Sequence, residues 1–172
     1  EVKTLEKIKE HLENGLPART MVLSEEESET LDSLFLLSSK PIIYVANISE
    51  DDVASPDSVP MVQELRQVAE SENAGLITVC SRLEEEIASL EESEKKEFLA
   101  ELGISASGLD QLVVASYKLL GLISFLTAGP KEVRAWTIKN GTRAPQAAGK
   151  IHSDFEKGFI RAEIVSYDDL IE

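Results

Sequence analysis

Asn47 and Glu50 follow a short apolar run and are well suited to recognise a ligand in this 172-residue chain. The run, residues 41–46, is rich in β-branched and aromatic residues and bounded by proline, which predicts a buried strand of a parallel sheet. In open α/β sheets, ligands bind beyond the carboxyl ends of such strands. An Asn amide offers both a donor and an acceptor, and a carboxylate accepts two hydrogen bonds. Together the two side chains can read the edge of a purine base.

A second polar segment, Cys80-Ser81-Arg82, stands at the end of another apolar run, residues 76–80. A helix predicted to begin near Pro60 separates the two runs, so strand, helix and strand form one right-handed βαβ unit. Parallel strands joined in this way end at the same edge of the sheet. We therefore expect Ser81 to lie beside the end of the first strand.

The spacing of residues 47–50, Asn-Ile-Ser-Glu, resembles the N-K-x-D element of P-loop GTPases of the TRAFAC class. It has the N-x-x-E form of the YchF (Obg-like ATPase) family, in which loss of the Lys and Asp relaxes guanine selectivity and favours ATP. Four further blocks, in order and correctly spaced, resemble the C-terminal TGS domain of that family: residues 125–129, 132–138, 144–152 and 154–162. The resemblance covers essentially the whole chain and implies an α/β fold.

The resemblance divides the chain into three segments. It implies the end of an inserted helical, coiled-coil-like arm at residues 1–19. The C-terminal part of a nucleotide-binding G domain, a Rossmann-like parallel sheet with flanking helices, follows at 20–124, and an incomplete TGS (β-grasp) domain at 125–172. The sequence contains no G-x-x-x-x-G-K-[ST] loop, the element that cradles phosphates. In the family that half lies upstream, so we expect an internal segment of a larger protein, with Mg²⁺ bound only when the upstream half is present.

The resemblance implies ATP or GTP as the ligand. The residues that it places against the base are Asn47, Ile48, Glu50, Cys80, Ser81 and Arg82. No residue of the chain is expected to be catalytic. Cys80 is a poor candidate for a nucleophile because no histidine lies near it in the sequence, and buried strand cysteines are usually inert.

Each of these polar residues also has a purely structural interpretation. Asn47 can be a simple turn former. Glu50 can accept a hydrogen bond from an adenine amino group, or it can cap the acidic loop that follows it. The Ser81 hydroxyl can face a purine or cap the helix that begins near Leu83, and both roles can hold together. Ile48, which replaces the lysine of GTPases, can lie against the base or be a partly buried loop residue.

The net charge of −15 is unevenly distributed along the chain. Residues 1–124 carry 10 Lys/Arg and 25 Asp/Glu, whereas residues 125–172 carry 7 of each, and residues 128–161 are basic by 7 to 3. An acidic body argues against nonspecific nucleic-acid binding and against DNA specificity, but it leaves the C-terminal module as a possible RNA or ribosome contact. The residues of that contact are Lys131, Arg134, Arg143, Lys150, Lys157 and Arg161. The alternative is a solvated charged face, with Trp136 and Phe159 in the core.

Several classes of protein are disfavoured. A single cysteine excludes an internal disulfide framework and suits a cytoplasmic location. The most membrane-like stretch, residues 112–128, contains Lys118 and is shorter than the roughly 20 apolar residues that a transmembrane helix needs. His152, Asp154 and Glu156 offer one nitrogen ligand only, so we expect them to shape a loop and expect no metal site.

The remaining pattern predicts elements around these sites. A capping box, Ser24 with Glu27, predicts the start of a helix that runs to about residue 37. Further predictions are one acidic helix at 83–102, a largely buried helix at 109–120 running into a strand, a strand at 133–138, a helix at 144–151 and a strand at 159–165.

Three hypotheses for function follow. The first is a nucleoside-triphosphatase of the YchF type, in which this chain selects the base. The second is a binding module that docks on ribosomes or RNA through the TGS segment, with nucleotide as a switch. The third is a stable domain that has lost catalysis.

Overall fold

A computed structural model describes residues 1–130 and 132–171, which form two compact units, Glu1–Leu119 and Leu120–Glu172. The first unit contains a pair of parallel strands flanked by helices, and the second contains an antiparallel pair with short helices. The predicted α/β class is confirmed.

The first unit opens with two helices, α1 (Val2–Glu13) and α2 (Glu25–Ser33). Ile8, Ala18 and Leu31 form a buried cluster between them. The predicted capping box is present, because the Ser24 hydroxyl accepts from the Glu27 N–H at 3.3 Å and the Glu27 carboxylate accepts from the Ser24 N–H at 3.0 Å. Helix α2 ends at Ser33, earlier than predicted, and Phe35 then adopts φ 50°, a conformation that cannot continue a helix.

The two parallel strands, β1 (Ile43–Asn47) and β2 (Gly75–Val79), are joined by α3 (Pro60–Ser71). Their register places Asn47 opposite Val79, so both strands end at the same edge. The ladder continues for one more bond, in which the Ile48 N–H donates to the Val79 carbonyl at 2.8 Å. This edge carries both of the polar segments that the sequence singles out.

The predicted helix at residues 83–102 is wrong as a single element. The structure has α4 (Ser81–Ala88) and α5 (Glu92–Glu101), separated by three residues. Polar groups compete for the backbone at the break: the Ser89 hydroxyl donates to the Glu86 carbonyl at 2.7 Å, and the Glu91 N–H donates to the Glu94 carboxylate at 3.0 Å. The break allows both helices to pack on one cluster, which contains Leu83, Ile87, Cys80, Phe98, Leu99 and Leu102.

Helix α6 (Gly108–Leu119) closely matches the predicted bounds, but the expected burial is wrong. Its first residue, Gly108, is buried, whereas Leu109, Val113 and Val114 are 65, 49 and 68% exposed within the described chain. Apolar composition predicts a helix here without fixing which element covers it.

The second unit begins with β3 (Leu122–Ala128) and β4 (Val133–Lys139), an antiparallel hairpin in which Leu122 pairs with Lys139. Three short helices follow: α7 (Ala144–Ile151), α8 (Ser153–Lys157) and α9 (Tyr167–Ile171). The predicted strand at 159–165 is not formed. A strand needs a neighbour for its N–H and C=O groups, and among the described residues none pairs with this segment, whose Ile160 and Ile164 are solvent-exposed.

Across residues 1–130 and 132–171, each helix is too short or too polar to span a bilayer. The apolar α6 has only 12 residues.

Candidate functional site

Asn47 and Ser81 are joined by two hydrogen bonds where β1 ends and α4 begins. The Asn47 Oδ1 atom accepts from the Ser81 backbone N–H at 3.1 Å and from the Ser81 hydroxyl at 3.0 Å. An N–H can only point at an acceptor, so this contact fixes which end of the amide is oxygen. With both lone pairs of the oxygen engaged, the NH₂ group is the part of Asn47 that can donate to a ligand.

Glu50 and Arg82 face each other at the rim of the same edge. Glu50 opens a short 3₁₀ turn after β1, and Arg82 is the second residue of α4. The Arg82 Nη1 lies 3.7 Å from the Glu50 Oε2, and the Arg82 Nε lies 3.8 Å from the Glu86 Oε1 one turn along the helix. The Arg82 side chain is 76% exposed, so this is a solvent-screened pair.

A cleft of about 440 Å³ brings all six predicted base-contacting residues together. Its lining consists of Asn47, Ile48, Ser49, Glu50, Asp51, Cys80, Ser81 and Arg82. The cleft is open and small, and it is built from two chain segments that are neighbours only because the strands are parallel and in register. A second cavity of about 420 Å³ shares Ile48 and Cys80 with it.

Ser81 and Glu50 make contacts other than those of their purely structural interpretations. Ser81 is the first residue of α4 and Cys80 is the N-cap, so the Ser81 hydroxyl binds Asn47 and is not the cap of a helix beginning at Leu83. In the acidic loop, the Ser49 hydroxyl donates to the Asp52 carboxylate at 2.7 Å, whereas Glu50 is turned toward Arg82. The buried Cys80 packs in the apolar cluster under the cleft.

An ion-pair clasp holds the opposite end of the sheet. The Arg19 guanidinium donates to the Glu72 Oε2 from Nη2 at 2.6 Å and from Nε at 3.1 Å, and the Tyr44 hydroxyl donates to the same oxygen at 3.0 Å. The Arg19 hydrogen bond, followed by that of Tyr44, lowers the pKa of the Glu72 carboxyl, and the same bond raises the pKa of Arg19. This clasp ties the segment after α1 to β1 and α3. The sequence gives no sign of it, because Arg19 and Glu72 are 53 residues apart.

Glu84 is a second residue whose role the sequence does not reveal. Its Oε1 accepts from the Gly108 N–H at 2.6 Å and its Oε2 from the Leu109 N–H at 3.2 Å, so α4 supplies the carboxylate that caps α6. A Cβ atom on Gly108 would lie 2.7 Å from the Val79 Cγ1 and 2.9 Å from the Glu84 Oε1. Glycine at this position therefore permits the close approach of α6 to β2 and α4.

In the second unit, the basic residues expected to contact RNA are distributed over β4, the N-cap of α7, the helices α7 and α8, and the segment after α8. Arg134, Arg143, Lys150, Lys157 and Arg161 are all exposed, and Lys131 lies outside the described residues. The Arg134 guanidinium stacks over the Trp136 ring, 4.3 Å from its centroid, and the Trp136 Nε1–H donates to Thr127 at 2.9 Å. Trp136 and Phe159 are half-buried.

Comparison with known proteins identifies the family. The family model YchF-GTPase_C, described as a protein of unknown function (DUF933), matches residues 122–172. The "Ribosome-binding ATPase YchF" of Bacillus subtilis is 56% identical over 171 residues, 99% of this chain and 47% of that protein. The protein of the same name from Escherichia coli O157:H7 is 46% identical over 171 residues, 99% of this chain and 46% of that protein. The chain belongs to the YchF family.

The fold of YchF agrees with this assignment. The solved "Structure of the Schizosaccharomyces pombe YchF GTPase" superimposes with a TM-score of 0.80 at 38% identity, and the match covers 92% of this chain and 42% of that one. The chain spans a little under half the length of the curated relatives that it matches. The resemblance read from residues 47–50 and the four C-terminal blocks is therefore confirmed at the level of family and fold.

The predicted loop-shaping role of His152 in this YchF chain has a structural counterpart. Its Nδ1 accepts from the Asp154 N–H at 3.2 Å and so caps α8. In the described part of the chain, no three His, Cys, Asp or Glu side chains are grouped so as to hold a metal ion.

Proposed function

We propose that this chain provides the base-selecting cleft of a purine nucleoside-triphosphate-binding protein, with Asn47, Ile48, Glu50, Cys80, Ser81 and Arg82 around the base. The observation that carries the proposal is the pair of hydrogen bonds from Ser81 to the Asn47 Oδ1. They hold the amide in one orientation at the carboxyl edge of a parallel sheet, where ligands of such folds bind.

The fixed amide has a defined chemical preference. Its NH₂ group donates, and N7 is an acceptor on both adenine and guanine. A hydrogen bond from Asn47 to N7 therefore recognises a purine, and this bond alone does not choose between the two bases. Ile48 offers an apolar surface beside it for the face of the base.

Residues outside this sequence would carry out any hydrolysis of ATP or GTP. The relatives are named ATPase and GTPase, but the chain has no phosphate-cradling loop. We therefore assign no catalytic residue here and derive no chemical step. Residues 20–124 would serve base binding, and residues 1–19 would be the end of a helical arm.

The proposal is tested with Asn47→Ala in the protein expressed from its full gene. We expect about tenfold weaker binding of both ATP and GTP, because the variant has neither the donor to N7 nor the acceptor for Ser81. Asn14→Ala, at the exposed end of α1, is the matched control. Unchanged nucleotide affinity in Asn47→Ala would contradict the proposal, and binding of the nucleotide-free protein to ribosomes should persist in both variants.

A second function, ribosome docking, is favoured by a separate observation. The second unit has exposed basic residues, whereas the first unit is acidic, and the curated relatives are named ribosome-binding. We assign residues 125–172 to a TGS domain that contacts ribosomal RNA, which implies a cytoplasmic protein. Nucleotide binding and docking are compatible, with nucleotide acting as a switch.

A further inference from the structure

We propose that Arg134, held over the Trp136 ring, is a platform on which one unpaired base of a single-stranded RNA stacks. This inference rests on the proposed docking function, because it assigns an RNA element to the basic second unit. It concerns a ligand other than the purine nucleotide of the cleft.

Two contacts hold the platform in one arrangement. Arg134 and Trp136 are two residues apart on β4, so their side chains lie on the same face of the hairpin. The guanidinium carbon of Arg134 lies 4.3 Å from the centroid of the Trp136 ring, which is a cation–π distance. Thr127 pairs with Arg134 across the hairpin, and its hydroxyl oxygen accepts from the Trp136 Nε1–H at 2.9 Å. The hydrogen bond fixes the indole, and the indole in turn holds the guanidinium.

Exposure along this face increases toward the hairpin turn. Ile138 is buried, Trp136 is half-buried and Arg134 is exposed. Because one side of the guanidinium lies against the indole, the opposite side is the one that a ligand can reach. The face therefore ends in a planar, positively charged group that is held in place.

No carboxylate neutralises this group in the described part of the chain. Arg161, by comparison, lies 3.9 Å from the Glu163 Oε1, whereas among residues 1–130 and 132–171 Arg134 has no ion-pair partner. An aromatic ring positions an arginine without cancelling its charge. Residues 128–161 also carry 7 basic and 3 acidic residues, so the surroundings favour an anionic ligand.

A single-stranded RNA is the anionic ligand that fits this geometry. Its unpaired bases can be splayed out and stacked on aromatic rings or on the plane of an Arg guanidinium. The N–H groups at the edge of the guanidinium can at the same time donate to a backbone phosphate. In a duplex the bases are stacked on one another and offer no free face. The platform should therefore prefer unpaired RNA to a duplex, and it should tolerate different sequences because every base has a π-face.

The experiment uses the protein expressed from its full gene and a single-stranded RNA of about 12 nucleotides, alone or annealed to its complement. Arg134→Lys keeps the charge and removes the planar group. We expect it to bind the single strand about five- to tenfold more weakly, with the salt dependence of the wild type because the number of neutralised phosphates is the same. The duplex should bind the wild type more weakly than the single strand does. Arg66→Lys, the same exchange at an exposed arginine of the first unit, is the control and should match the wild type.

The fluorescence of Trp136 is an independent readout that a purely structural stack would not provide. The indole lies directly under the guanidinium, so a base stacked there should change the emission of the indole. This RNA-dependent change should be lost in Trp136→Phe, which keeps an aromatic ring at the half-buried position. A change of the same size in Trp136→Phe would contradict the platform.

Four binding results would overturn the inference. They are wild-type affinity of Arg134→Lys for the single strand, an equal loss in Arg66→Lys, equal binding of single strand and duplex by the wild type, and a loss in Arg134→Lys that comes with a flatter salt dependence. The last result would indicate a phosphate contact without stacking.

Binding to purified ribosomes separates this inference from the docking function. If the wild type co-sediments with ribosomes while Arg134→Lys binds the single strand normally, docking stands and only the platform fails. If Arg134→Lys weakens ribosome binding while the wild type has no affinity for the single strand, the partner is a protein and the RNA assignment fails. If the wild type does not co-sediment with ribosomes, the proposed docking function itself fails.

Discussion

At the scale of the residue, Ser81 contributes to the cleft in two separable ways. Its backbone N–H and its hydroxyl both donate to the Asn47 Oδ1, but only the hydroxyl belongs to the side chain. Ser81→Ala should therefore leave the amide oriented by the remaining bond. We expect ATP to bind only about two- to fivefold more weakly, well short of the effect of Asn47→Ala, since one neutral hydrogen bond is worth about 1 kcal/mol. Titration calorimetry on the protein from its full gene checks this, and a decrease equal to that of Asn47→Ala would show that the backbone hydrogen bond does not orient the amide.

Glu72 is the residue whose charge state should be visible in folding. Its hydrogen bonds from Arg19 and Tyr44 lower its pKa in the folded chain, whereas in the unfolded chain it titrates near the ordinary glutamate value of about 4.3. A depressed folded pKa gives stability that is fully present above the unfolded pKa. That stability is lost as the pH falls through the folded pKa, when the carboxylate becomes protonated.

We therefore expect Glu72→Gln to be less stable than the wild type at pH 7 and to lose less of its stability on acidification below about pH 4. Urea unfolding at pH 7, 5 and 3.5 provides the measurement. Glu70→Gln, which removes an exposed carboxylate from the same helix, is the control and should follow the wild type. Parallel acid profiles for the wild type and Glu72→Gln would contradict the clasp.

At the scale of the element, α6 is positioned by a glycine and a carboxylate from its neighbours. A methyl group on Gly108 would press on Val79 and displace Glu84 from the first turn of α6. Gly108→Ala should lower the free energy of unfolding by about 1–3 kcal/mol, as overpacking of a close approach does, despite the better helix propensity of alanine. Gly129→Ala is the control, because its added methyl would find its nearest neighbour at 3.7 Å. Chemical denaturation measures this free energy. Equal stability of Gly108→Ala and the wild type would show that α6 shifts to accommodate the methyl group with little loss of free energy.

The same elements show what a sequence can and cannot predict. The meeting of Asn47 with Ser81 follows from a local rule, that parallel strands end at one edge, so the amino-acid pattern alone is enough to predict their proximity. The break between α4 and α5 is not predictable in this way. Ser89 and Glu91 are residue types that a continuous helix tolerates, and the helix ends only because they form local hydrogen bonds with Glu86 and Glu94. The clasp of Arg19 with Glu72 and the cap of α6 by Glu84 join segments that are far apart in the sequence. Hydrophobic periodicity reports on local structure only and cannot predict such contacts. The strand expected at 159–165 has the right residue types, but a strand is defined by its partner.

At the scale of the whole molecule, the two units differ in net charge. Residues 1–124 have a net charge of −15 and residues 125–172 are neutral, with an excess of four basic residues between 128 and 161. A polyanion such as ribosomal RNA is repelled by the first region and attracted to the basic segment of the second. If basic residues of the second unit neutralise phosphates, ribosome binding must weaken with salt, because each phosphate that is neutralised releases counterions.

Charge reversal tests this at Lys150 and Lys157, which lie in the last turns of α7 and α8. In the protein from its full gene, Lys150→Glu with Lys157→Glu should weaken ribosome co-sedimentation and flatten its dependence on salt, by about one unit of logarithmic slope for each phosphate that is no longer neutralised. Lys40→Glu with Lys96→Glu makes the same charge change on exposed lysines of the first unit. If the slope changes equally in both pairs, net charge alone controls the interaction. A slope that changes only in the first pair assigns the RNA contact to the second unit, and a slope that changes in neither removes these lysines from it.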